Sequence, residues 1–142
     1  MKISRVTFVG VKTERFDDMA DFTRDVLGLE FRRRDGGWAV HRFGSQGQDF
    51  FEVFRPGQYD ERLLPAEAGP LTIGLEVDDL VAARAELVAA GVEIVADITW
   101  AAELLGNPNL AGFGWLFFRA PDGNLYALQQ SSAPSTASEG NP

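Results

Sequence analysis

The chain opens on Ile3 to Val11, a short apolar run rich in β-branched residues, which is the pattern of a strand. From Thr13 to Leu27 the period changes. Phe16, Met19, Ala20, Phe22, Thr23, Val26 and Leu27 recur three and four residues apart, as on one face of a helix. Thr13 suits the N-cap, acidic Glu14, Asp17 and Asp18 suit the first turn, and Gly28 suits a left-handed close. Three strand-like runs follow, Leu29 to Arg34, Trp38 to Phe43 and Asp49 to Phe54, separated by the turns Asp35-Gly36-Gly37 and Gly44 to Gln48. Short runs between Gly-rich turns predict antiparallel hairpins, so this stretch reads β-α-β-β-β.

Residues 56–70 hold three prolines and no sustained period, and read as a connector. The order then repeats. Leu71 to Val77 is a strand, Asp78-Asp79 caps a helix running to about Ala90, and Gly91 closes it. Val92 to Ile98 is a strand, 101–114 a loop, Trp115 to Arg119 a strand, Pro121 to Asn124 a tight turn, and Leu125 to Gln130 the last strand. The reading is one domain over 1–130, with unit one at 1–55 and unit two at 71–130. The tail, 131–142, is Ser/Ala/Pro/Gly-rich and expected to be disordered. Two such units predict an α+β fold in which a mostly antiparallel sheet curls into a cup, with a helix over each unit and room for a small ligand in the concavity.

Composition narrows the chemistry. The 142 residues include no Cys and one His, His41, so a single chain cannot build thiolate sites, an HExxH zinc site or a two-His-one-carboxylate iron site. The net charge of −8 argues against nucleic acid and anionic membrane as partners. No apolar run reaches the length of a membrane span, and the N-terminus lacks a signal-peptide core, so a cytoplasmic location is expected.

Three segments resemble a known family. Phe22-Thr23-Arg24-Asp25-Val26-Leu27-Gly28-Leu29, Gly74-Leu75-Glu76-Val77-Asp78-Asp79-Leu80 and Phe118-Arg119-Ala120-Pro121-Asp122-Gly123-Asn124-Leu125-Tyr126-Ala127-Leu128 look like the motifs of the glyoxalase / bleomycin-resistance / extradiol-dioxygenase (vicinal oxygen chelate) superfamily. The resemblance spans 3–130 and implies the paired-unit cup and a homodimer. It also implies a functional choice, since members range from metal lyases, isomerases and dioxygenases to metal-free drug-binding proteins. Family enzymes place metal ligands on the first and last strand of each unit. Carried over, those positions fall at Phe8, Glu52, Thr72 and Ala127, so one of the four is a good donor. The resemblance therefore implies neither metal nor other cofactor for this chain.

Individual residues carry two readings each. Glu52 is either a carboxylate facing the cup, with a pKa raised by burial, or a polar residue on a sheet. By alternation Phe50 and Phe54 share its face, while Phe51 and Val53 take the helix side. Phe8, Phe50, Phe54, Trp100 and Trp115, with Thr72 and Ala127, are the candidate lining; core packing is the alternative for each aromatic. Trp38 and Phe117 belong to the same question. His41 is expected to be a partly exposed or a hydrogen-bonded strand residue, and Arg32-Arg33-Arg34 a solvated strand end or an anion contact. The 100–114 loop is either a lid or a plain surface loop. The expected function is metal-independent binding of a small, partly aromatic or apolar molecule. The alternatives are a lyase, isomerase or dioxygenase with a degenerate metal site or with Glu52 as acid–base catalyst, and an interaction module without ligand.

Overall fold

The computed structural model describes residues 1–43 and 49–132. The expected turn at 44–48 and the tail beyond residue 132 lie outside the described residues. Val6–Gly74 forms one compact unit; Met1–Arg5 and the residues from Leu75 onward form the other. Both are built of a strand, a helix and three further strands, so the fold is α+β with the expected internal repeat.

In the first unit β1 (Ile3–Lys12, its first three residues counted with the other unit) runs parallel to β4 (Asp49–Phe54), β4 is antiparallel to β3 (Trp38–Phe43), and β3 is antiparallel to the short β2 (Arg33–Arg34). Helix α1 (Phe16–Asp25) buries Phe16 and Ala20 against Ala39 of β3 and Val53 of β4, with Met19, Phe31 and Phe51 packed around them. The helix begins later than the periodicity predicts. Thr13 does not cap it: its hydroxyl accepts from the Arg15 N–H at 3.0 Å, a local turn that holds the chain out of the helix for two more residues. Gly28 closes the C-terminal end at φ +75°, a conformation that a Cβ would oppose.

Two expectations for this unit change. The strand foreseen at Leu29 to Arg34 shrinks to its last two residues. The Leu29 N–H is taken by the Thr23 carbonyl at 3.0 Å and the Glu30 carbonyl by His41 Nδ1 at 2.8 Å, so backbone bonding to β3 begins only at Arg32, whose N–H donates to the Val40 carbonyl at 2.7 Å. His41 is fully buried on the α1 side. Its Nδ1 bonds the Glu30 carbonyl at 2.8 Å and its Nε2 the Thr23 hydroxyl at 2.7 Å. It is a hydrogen-bonded core histidine.

In the second unit β6 (Glu93–Trp100), β7 (Gly114–Arg119) and β8 (Leu125–Gln130) form an antiparallel meander. β5 (Leu71–Val77) lies across the boundary, its first four residues counted with the first unit. Helix α2 (Leu80–Ala89) packs Leu80, Ala83 and Leu87 on Val77, Leu116 and Leu128. Its first turn is satisfied twice: Asp79 Oδ1 accepts from the Ala82 N–H at 3.0 Å, and Gln130 Oε1, fifty residues on, accepts from the Leu80 N–H at 2.8 Å. The Gln130 amide nitrogen donates to the Gly112 carbonyl at 2.7 Å, tying the same strand end to the preceding loop. That loop, read as irregular from sequence, contains helix α3 (Ala101–Leu105) and a 3-10 turn at Pro108–Leu110. Among the described residues no helix is long and apolar enough to cross a membrane.

Candidate functional site

Strand register fixes which side chains meet. Glu52 stands beside Gly10 on β1 and Val40 on β3. Phe51 and Val53 go to the α1 core, so Phe50, Glu52 and Phe54 face the other way, as alternation predicts. Gly10 is the gap in this row. A Cβ there would lie 2.6 Å from Phe8 Cζ and 3.4 Å from Phe54 Cε2, so the two rings occupy the space a side chain would need. Phe54 is fully buried, and Tyr59 of the connector packs on it with ring centroids 4.9 Å apart.

Among these rings stands the Glu52 carboxyl, 9% exposed. Its Oε1 accepts a 2.7 Å hydrogen bond from the Trp38 indole N–H. Burial pushes the carboxyl up to about 7, against a smaller downward pull from that hydrogen bond. Trp38 is held in turn by the Arg33 guanidinium, 4.5 Å over its ring. Thr72 is buried in the same unit, with a hydroxyl that has no hydrogen-bond partner among the described residues.

The other candidates belong to the second unit. Leu116 and Leu128 enter the α2 core, which turns Trp115, Phe117, Ala127 and Gln129 to the opposite side of the β7–β8 pair. Phe113 meets Trp115 edge-on at 5.4 Å. Trp100 packs against the α2 core, with its ring so close to Gly114 that a Cβ there would sit 2.5 Å from Cε3. Sequence reasoning did not single out the Trp38–Glu52 bond, which depends on β3–β4 register. It also passed over Tyr59, whose contact depends on the connector's path. Glu76, which accepts from both the N–H (3.0 Å) and the hydroxyl (2.6 Å) of Ser131, was likewise not foreseen.

Residues 5–128 match the family model described as Glyoxalase/Bleomycin resistance protein/Dioxygenase superfamily. The chain belongs to that superfamily. Solved structures agree on the fold. The Mn(II)-bound glyoxalase from Novosphingobium aromaticivorans superposes with a TM-score of 0.67 at 22% identity, over 94% of this chain. The chain spans 42% of that protein. A variant of the Streptomyces coelicolor methylmalonyl-CoA epimerase, in complex with 2-nitronate-propionyl-CoA, gives 0.65 at 18% identity, over 93% of this chain and 100% of that one. A superfamily member from Vibrio splendidus 12B01 gives 0.58 at 14%, over 91% and 99%. No curated protein matches the chain.

The donor set does not suit the metal chemistry found among superfamily enzymes. Phe8 and Ala127 have no donor atom, Thr72 offers a hydroxyl, and one Glu52 oxygen is engaged by an indole N–H. Among the described residues no three His, Asp or Glu side chains stand together so as to hold an ion. No metal-dependent step is therefore derived for this superfamily member.

The remaining candidates have structural partners. Arg34 pairs with Asp21 at 2.8 Å and Asp17 at 3.4 Å, a contact between a strand end and α1. The segment after β6 returns on itself through an Ala101 N–H to Phe113 carbonyl bond of 2.9 Å. In the turn at 121–124, Gly123 takes φ +84°, the role expected of it.

Proposed function

We propose that this chain binds a small, partly aromatic or apolar molecule without a metal, on the face of the Val6–Gly74 unit that turns away from α1. The observation that supports this reading is Glu52: a buried carboxyl with a single donor among the described residues, set among Phe8, Phe50 and Phe54. Aromatic faces supply area at little conformational cost, and a lone polar group fixes orientation. The Thr72 hydroxyl, buried and unpartnered, is proposed as a second polar contact. Trp115 and Ala127 are proposed to belong to a second apolar surface, on their own unit, and Trp100 to support it from the α2 core. Membership of the superfamily also supports a homodimer, and a cytoplasmic location suits the acidic composition. Sedimentation velocity on the purified chain measures the first directly.

The test is ligand-detected NMR with indole and benzyl alcohol, before and after exhaustive treatment with a chelator. Binding that survives the chelator and weakens when Phe8→Ala or Phe54→Ala is introduced supports the proposal. Binding that appears only on adding Mn²⁺ or Zn²⁺ rejects it.

A second reading is favoured by the burial of Glu52 beside a neutral indole donor, which pushes its carboxyl up to about 7. A carboxyl poised there suits general acid–base work at neutral pH, such as removing a proton next to a carbonyl. The epimerase neighbour makes methylmalonyl-CoA the first compound to try. Deuterium uptake from D₂O, followed by mass spectrometry, is expected in wild type and absent in Glu52→Gln. Equal uptake in both proteins removes Glu52 from that role.

A further inference from the structure

The charges of the Val6–Gly74 unit are mostly paired on its surface. Arg55 bonds Asp17 at 2.8 Å, Arg34 bonds Asp21, Arg24 bonds Asp25 at 2.7 Å, and Arg33 lies 3.7 Å from Asp35. Glu52 is different. Among the described residues no basic side chain pairs with it, and its one hydrogen bond comes from a neutral indole. A buried carboxylate without a counter-charge is costly, and the cost falls when a cation is delivered to it.

The groups around Glu52 suit a cation in a second way. The π-faces of aromatic rings attract positive charge, and the neighbours on β1 and β4 are Phe8, Phe50 and Phe54. By strand register Lys12, Arg42 and Arg33 share this face, and among the described residues none of them pairs with Glu52. Lys12 Nζ donates to the Ala66 carbonyl at 2.8 Å. Arg42 is level with Phe50, two residues along β4 from Glu52, and Arg33 covers the Trp38 ring. Tyr59 packs on Phe54. The whole chain carries −8, so an approaching cation gains from the general field as well.

We propose that the ligand of the Glu52 face is an organic cation: a protonated amine whose nitrogen pairs with Glu52 and whose hydrocarbon body lies on Phe8 and the half-buried Phe50. This rests on the binding reading above and narrows its ligand class. The amine supplies the counter-charge that the protein withholds, through a charge-assisted hydrogen bond to the oxygen Trp38 leaves open. Trp38 keeps the carboxyl aimed, and is a positioning residue rather than a contact of the ligand's charge.

The test uses three probes of one shape, benzylamine, benzyl alcohol and benzoate, titrated calorimetrically at fixed ionic strength into wild type, Glu52→Gln and Glu52→Asp. At about pH 8 benzylamine is expected to bind roughly tenfold more tightly than benzyl alcohol, and benzoate weakest. That preference is expected to vanish in Glu52→Gln, to persist in Glu52→Asp, and to fade below about pH 6, where the carboxyl takes up a proton. Circular dichroism confirms that each variant is folded. Benzyl alcohol or benzoate binding as tightly as the amine at about pH 8 overturns the cation proposal while leaving the binding reading intact. So does an amine affinity unchanged in Glu52→Gln. Failure of all three probes to bind overturns both.

Discussion

The two units share a plan and differ in where they keep their polar groups. In the first, polarity is inside. His41 and Thr23 hydrogen-bond under α1, and Glu52 lies buried on the opposite face of the same strands. In the second, the α2 core is entirely aliphatic among its buried members, and Ala127 and Gln129 stand on the opposite side of its last strand. Its buried amides, Gln129 and Gln130, carry no charge, and Gln130 is spent on capping the helix and bracing a loop. A repeated β-α-β-β-β topology thus fixes backbone positions while leaving each unit free to place chemistry or remove it. The first unit is the one with an ionisable group in reserve.

The contrast can be broken most violently at two glycines. A Cβ on Gly37 would sit 1.7 Å from the Gln58 carbonyl oxygen, a backbone atom with nowhere to go, whereas Gly36 beside it faces open space. Gly37→Ala is expected to cost about 4 kcal/mol or more, with Gly36→Ala near zero, in urea denaturation. In the second unit a Cβ on Gly114 would sit 2.5 Å from the Trp100 ring and 2.9 Å from the Thr99 carbonyl oxygen. A ring can tilt where a carbonyl cannot, so Gly114→Ala is expected to cost less than Gly37→Ala.

Next in size is the pH response of Glu52. Its pKa is raised in the folded state from 4.5 to about 7, so the native chain binds a proton that the unfolded chain has lost. Stability is therefore greatest at the acid end of this window and falls as pH rises through it, by about 3 kcal/mol, then levels off. Glu52→Gln is expected to flatten that slope. If wild type and variant run parallel between those pH values, the carboxyl is not desolvated as described. Amide exchange should place the effect in β3 and β4.

The buried polar core offers a third comparison. Thr23→Val keeps the shape of the side chain but leaves His41 Nε2 without its partner, an expected loss of about 2 kcal/mol. Smallest is the helix cap. Asp79→Ala is expected to cost about 1 kcal/mol, because Gln130 still serves the neighbouring N–H. A loss twice that size would mean that the two caps act as one.

Much of this was legible before any coordinates. The repeat followed from periodicity and glycine punctuation, the side each β4 residue faces from alternation, and the pairing of Asp79 with a helix start from its position ahead of Leu80. What escaped has physical reasons. Helix α3 is five residues long, too short to show a period. The strand expected from Leu29 was shortened by two competing hydrogen bonds, Leu29 to the end of α1 and Glu30 to the His41 ring, which leave no trace in composition. Glu52 could be singled out, but its indole partner could not. Trp38 and Glu52 are fourteen residues apart, and only the β3–β4 register makes them diagonal neighbours.

That bond also makes the molecule its own gauge. Trp38 is one of three tryptophans, and its indole touches Glu52 through the N–H while Arg33 covers its ring. An indole's emission colour and intensity follow the charge at its nitrogen and the groups on its face. Protonating Glu52, or neutralising it with an amine, changes that charge at a distance of one hydrogen bond. With Trp100 and Trp115 replaced by Phe, the fluorescence of the remaining indole would read the state of the carboxyl continuously, with no label attached.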